Sequence, residues 1–444
     1  MLAVRLLARR LHFMAGIVVA PFLLVLAVTG LVYVFSPQIH DSLYHSALYV
    51  SNETGAPHPV AEQVRAALTA HPESTVQAVI TPPAPDRTTR VVMSGPGLHD
   101  TGDGPQQRAV FVDPHTNYIN GELTTVHDQL PANTWLRDLH ANFHLGEVGR
   151  IYAELAATWL PLIIIGGLVL WLAQPKRRKR PNARELLVPS RRHAKERWGR
   201  LRGAHGPLGV WLTIGMLLIA LTGLVMSQFA GGRADRSTDP LTLHAPTLSA
   251  NSVPVPPGVN PIGIDEAISI ARNAGLTGEL LVRPPAAPGA VYMVAEHAIG
   301  LPIHKESMSI DPYTSAVTER IGWGDYSLLA KVTTLGVDFH TGALFGLANQ
   351  IIVSVFAVGL VALILIGYRM WWVKNPYKSK WSAVPPPTWR QAGSLPLALV
   401  LLVVAALAWV MPVFGASFLV FVLADALINA VRRKRQPIPT PRAR

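Results

Sequence analysis

Phe13 to Phe35 is a run of 23 residues without a charge, and as a helix it is long enough to cross about 30 Å of hydrocarbon. No soluble globule needs such a run. Further apolar stretches follow at Ile151 to Ala173, Pro207 to Phe229 and Ile351 to Val373, and a last one extends from Leu395 to Val431. The last is too long for one helix, so Met411-Pro412 is read as a break between two short spans. Composition agrees, with 50% hydrophobic and only 15% charged residues among 444. Cysteine is absent, which excludes disulfides, iron–sulfur clusters, thiol nucleophiles and covalently attached c-type haem. Any metal chemistry must use His, carboxylates or Met.

Charge gives the expected orientation. Lys176 to Arg202 carries twelve Lys and Arg against Glu185 and Glu196, and Arg432, Arg433, Lys434 and Arg435 follow the last span. The positive-inside rule places these segments, and both termini, in the cytoplasm. The net charge of +12 therefore reads as topology, and no nucleic-acid partner is expected. Arg5, Arg9 and Arg10 precede the first span, which is too long for a signal-peptide core and is read as an uncleaved helix.

The chain also repeats itself. His12 and Gly16 with Thr29-Gly30 match His205 and Gly209 with Thr222-Gly223 at a constant offset, and Asp113-Pro114-His115-Thr116 matches Asp311-Pro312-Tyr313-Thr314. His140, Gly146, Ile151, Gly167 and Trp171 match His340, Gly346, Ile351, Gly367 and Trp371. The expected fold is an α-helical membrane protein with α+β extracytoplasmic domains: two parallel repeats of helix, small domain and helix, then a C-terminal hairpin. Its expected segments are 1–36, 37–131, 132–174, a basic loop 175–204, 205–229, 230–335, 336–373, a loop 374–393, the helix pair 394–431 and a basic tail 432–444.

Two-fold repetition makes His12 face His205 at one membrane side and His140 face His340 at the other. Two facing neutral imidazoles are the axial set of a six-coordinate b-type haem, so two b-type haems are expected. His144 follows His140 by one helical turn and competes as outer ligand, although its repeat partner is Leu344. Arg137 stands three residues before His140, and its guanidinium suits a haem propionate. Arg10 and Arg202 fit the same role or that of headgroup anchors. The remaining histidines, among them His40, His45, His115, His127, His193 and His304, read as surface or loop residues. A straight helix from His140 to Gln174 would place this ligand well above the hydrocarbon, so a broken helix near Gly146 or Gly346 is one expected remedy. Asp425 and Asn429, one turn apart in the last span, read as an interhelical contact or a proton or quinone site.

These residues resemble the PepSY-associated transmembrane family, which includes bacterial inner-membrane siderophore and ferric reductases. The resemblance rests on His12 to Gly16 with Thr29-Gly30, Leu139-His140 through Gly149-Arg150, Trp171, His205 to Gly209 with Thr222-Gly223, His340-Thr341-Gly342 with Phe345-Gly346-Leu347, and Met370-Trp371-Trp372. It implies PepSY-like outer domains and a multi-pass di-haem protein of the bacterial cytoplasmic membrane. Such a protein passes electrons outward, in some members to ferric siderophore on the outer side, with a quinol or flavoprotein as donor and membrane lipid around it. The alternative is a haem-free PepSY membrane module that binds a peptide, peptidase or partner protein. A transporter would need charges at mid-membrane in the first four spans, where none is expected.

Overall fold

The computed structural model describes residues 2–51, 55–101, 104–173, 187–188, 197–232, 244–249, 253–297, 300–374 and 394–434. Most of the basic loop and the end of the basic tail lie outside them, as does the side chain of Asn429. The chain divides into two compact units, one of residues 1–31, 139–239 and 352–444, the other of residues 32–138 and 240–351.

In chain order the helices are α1 (Leu2–Val18), α2 (Ala20–Tyr33), α3 (Ser36–Leu43), α4 (His45–Leu48), α5 (Val60–Ala70), α6 (Pro131–Asn142), α7 (Gly146–Leu172), α8 (Arg197–Val225), α9 (Ile264–Asn273), α10 (Leu328–His340), α11 (Leu347–Lys374), α12 (Ser394–Val410) and α13 (Pro412–Lys434). Helices α7, α8 and α11 are each long and apolar enough to cross a membrane, and α1 with α2 makes a fourth candidate span. This is a membrane protein carrying an α+β part.

The first span departs from the straight helix expected over Phe13 to Phe35, because α1 and α2 meet at an angle of 60°. Pro21 is the cause: it has no N–H to offer the Ile17 carbonyl, and its ring crowds that carbonyl. The Tyr368 hydroxyl of α11 donates to the Ile17 oxygen instead, at 2.9 Å. An apolar helix environment demands such a replacement, since no water is there to supply it.

Side-chain contacts organise the helical unit further. Ala15, Leu23, Trp159, Leu212, Met216 and Phe414 belong to one buried cluster, which brings together α1, α2, α7, α8 and α13. Helix α13 is fixed on α7 by Trp159, whose indole donates to Ser417 at 2.9 Å and lies against Phe414, Phe418 and Phe421. Glu154 is a charged residue that the sequence reading did not single out. It sits about one turn inside the Ile151 to Ala173 stretch, buried, and accepts from the backbone N–H groups of Phe229 and Ala230, both at 2.9 Å. A carboxylate at that place satisfies donors that follow the end of α8.

The other unit contains one nine-stranded antiparallel sheet where two separate outer modules were expected. Its strands are β1 (Thr75–Ile80), β2 (Thr89–Ser94), β3 (Asp100–Thr101), β4 (Gly104–Val112), β5 (Ile119–Val126), β6 (Leu280–Arg283), β7 (Tyr292–Glu296), β8 (Ser307–Ile310) and β9 (Val317–Ile321). Strand order is β5-β4-β2-β1-β6-β7-β8-β9, with β3 also on β4. The two halves join where Val79 pairs with Val282 and Ile80 with Leu281. Each edge strand thus becomes an interior one, which removes two exposed ladders. Helix α5 packs on Val79, Val91 and Val110, and α9 packs on Val282, Val294 and Ile310.

The Asp-Pro motifs make the same turn twice. Asp113 accepts from the N–H of His115 and Asp311 from that of Tyr313, each at 2.8 Å, and Asn117 and Ser315 close the turns at φ 57° and 60°.

Candidate functional site: paired imidazoles on the apolar helices

Helices α1 and α8 each carry a histidine at the start of an apolar stretch, and the fold brings these two together. The ring centroids of His12 and His205 are 6.2 Å apart with the planes at 79°. Two imidazoles on one metal at about 2 Å each would place their centroids roughly 6 Å apart. The spacing therefore fits one metal between the rings.

Hydrogen bonding decides which nitrogen is available. His12 Nδ1 is 2.8 Å from the Ile163 carbonyl of α7, and a carbonyl only accepts, so Nδ1 bears the proton and Nε2 keeps the lone pair. Metal-binding imidazoles are held in this way. His205 Nδ1 is buried without a hydrogen bond of normal geometry, and its looser backbone partner is the Leu363 carbonyl of α11. That partner stands 200 residues after Ile163, the same offset that relates Gly167 to Gly367.

Glycines make room around both rings. A Cβ on Gly167 would stand 3.1 Å from His12 Cε1, so a side chain there would displace the ring, and one on Gly367 would be 3.7 Å from His205 Cε1. Added to Gly16, a Cβ would meet nothing within 4 Å, and at Gly209 only Leu363 at 3.9 Å. Space beside each histidine is what a flat ligand of the iron would use, so the residues present fit a haem held by His12 and His205. Among the described residues no group of three or more His, Cys, Asp or Glu forms a metal cluster. A bis-imidazole site needs only two.

His140, near the end of α6, lies against the Thr29-Gly30 motif. The Thr29 hydroxyl donates to the carbonyls of Val25 and Leu26, at 2.8 and 3.2 Å, and so accepts from His140 Nδ1 at 3.0 Å. Nε2 is again the acceptor nitrogen. A Cβ on Gly30 would come within 2.9 Å of His140 Cε1, which explains why glycine follows the threonine. His340 is the last residue of α10 and belongs to the other compact unit.

His144 does not share a helical face with His140. Helix α6 ends at Asn142, and Phe143 and His144 both take φ of 54° before Gly146 opens α7 at 57°. A second interruption separates α10 from α11, where Gly342 and Gly346 have φ of 83° and 57°. Arg137 makes a salt bridge at 3.1 Å to its chain neighbour Asp138.

Asp425, read from the sequence as an interhelical contact or a proton or quinone site, meets a partner from another helix, Arg10. Arg10 is buried and pairs through Nε, at 3.0 Å, and through its terminal nitrogen with Asp425 of α13, so it is no headgroup anchor. A hydropathy pattern cannot join partners 415 residues apart. In the sheet unit Arg87, Arg90 and Glu279 line one cleft with Leu48, Ile80 and Phe111. Burial pushes the Glu279 carboxyl up, while Arg90 and Arg87 pull it down.

A comparison with curated proteins gives no match. The family model of the PepSY-associated TM region spans residues 9–374, from the turn before His12 to the end of α11. That stretch contains all four repeated histidines and most of the chain, and the protein belongs to the PepSY-associated TM family.

Proposed function

We propose that this chain is a di-haem electron-transfer protein of the bacterial inner membrane, which reduces Fe(III) held by a siderophore on the outer side and so releases Fe(II). In this reading it is built of two parallel copies of one unit, with both termini cytoplasmic. His12 and His205 hold one b-type haem. His140 and His340 hold the other, His144 is the competing outer ligand, and Arg137 pairs with a propionate. Bound between two imidazoles, haem supplies a one-electron ferric/ferrous couple.

The observation that carries the reading is the 6.2 Å approach of His12 and His205 with the Nδ1 proton of His12 committed to the Ile163 carbonyl. That carbonyl fixes ring orientation and tautomer before any ligand arrives. Thr29 does the same for His140. The palindromic strand order and the matching Asp113 and Asp311 turns support the two-copy layout. Each turnover needs one electron per Fe(III), delivered from a quinol or a flavoprotein, and Fe(II) leaves because oxygen donors hold the softer ion less well.

An absorption spectrum of the purified protein before and after dithionite tests this. Soret and α bands that shift on reduction support it. A colourless preparation favours the haem-free module that binds a peptide, peptidase or partner protein.

A further inference from the structure

One end of the helical unit sets two cations on a single indole and brings two more beside them. Trp198, in the first turn of α8, has Arg202 Cζ 5.6 Å and Lys374 Nζ 5.0 Å from its ring centroid. Arg5 is the charged neighbour of Arg202, and Arg9 and Arg202 are those of Lys374. Three helices converge to make this group: α1 brings Arg5 and Arg9, α8 brings Trp198 and Arg202, and α11 ends in Lys374. Among the described residues none of the four makes an ion pair with a carboxylate. Attraction to the indole face holds two of the cations, while like-charge repulsion acts to separate them all. Among the described residues, positive charge is therefore concentrated here without a carboxylate to neutralise it.

We propose that these residues form a binding site for the phosphate-bearing headgroup of an anionic phospholipid. Depth selects the lipid over a soluble phosphate. Arg5 and Arg9 directly precede the apolar run that begins at Phe13, and Lys374 closes the apolar helix Leu347–Lys374. Charges and a tryptophan at such helix ends lie at headgroup level. Arg202 is half-buried and Lys374 exposed, so the site has a floor and an open side. The inference does not depend on any cofactor at His12 and His205.

The test places the full-length protein in nanodiscs of equal phosphatidylglycerol and phosphatidylethanolamine, then counts co-purified lipid by native mass spectrometry. The wild type retains phosphatidylglycerol selectively. Arg202→Gln with Lys374→Gln lowers that retention roughly twenty-five-fold, at about fivefold per cation. Arg202→Lys keeps it, and Arg197→Gln with Arg200→Gln, exposed on the same helix, leaves it unchanged. Equal retention of both lipids, or retention unaffected by the double Gln variant, overturns the proposal. So does displacement of the lipid by millimolar inorganic phosphate, which would mark a soluble-phosphate site. Loss of haem absorbance in the double Gln variant with lipid retention intact would also overturn it, while leaving the proposed function standing.

Discussion

The Tyr368 hydroxyl takes the place of the N–H that Pro21 lacks, donating to the Ile17 carbonyl where the first span bends. Tyr368→Phe leaves that carbonyl without this donor, at a cost of about 1–3 kcal/mol. The thermal midpoint in detergent should fall by several degrees. Pro21→Ala restores an N–H, so in the Pro21→Ala background the same Tyr368→Phe change should cost clearly less. Equal losses in both backgrounds would contradict this account of the bend.

Arg10 and Asp425 are a buried ion pair, and removing one partner strands a charge in an apolar setting. Asp425→Asn or Arg10→Gln should destabilise by about 3–5 kcal/mol, and Arg10→Met with Asp425→Leu should recover most of the loss. Thermal unfolding of the three variants checks this. Because α13 lies beyond the family-matched residues, the experiment also measures how firmly the terminal helix belongs to the unit.

What the sequence conveyed depended on the range of the interaction. The apolar spans and the approach of His12 to His205 were legible, since hydropathy and spacing are local or recurring signals. The 60° bend was not, because an apolar run containing Pro21 has the same hydropathy whether straight or bent. Joining of the two strand sets was hidden for another reason: Val79 and Val282 pair through backbone groups that every residue possesses. Glu154 was overlooked inside an apolar stretch, although one carboxylate among so many apolar neighbours is itself a sign of a specific partner. At the breaks before α7 and α11, Gly146 and Gly346 carried a signal, but the left-handed turn before α7 begins earlier, at Phe143 and His144, which do not advertise it.

His144 holds a conformation that costs a side chain about 1–2 kcal/mol. His144→Gly should therefore raise the thermal midpoint by one or two degrees, and haem content should not change. Loss of one haem in that variant would show that His144, and not His140, is the outer ligand.

Glu279 ties the sheet unit to pH. Its folded-state carboxyl titrates above the ordinary value of 4.5 because burial disfavours the anion. The folded state therefore holds that proton more tightly than the unfolded chain. Its contribution to stability is fully present below the unfolded value and is lost as pH rises through the raised folded one. Glu279→Gln should flatten this fall and leave the protein more stable than wild type at neutral pH. Thermal unfolding followed across that range would show a parallel pH profile for both proteins if the carboxyl is not the source.

The most direct test of the central claim is haem stoichiometry, measured by the pyridine haemochrome on wild type, His12→Ala, His205→Ala, His140→Ala and His340→Ala from haem-replete cells. The account predicts two haems per wild-type chain and one in each variant. Pigment-free wild type, or two haems retained in both His12→Ala and His205→Ala, would contradict it.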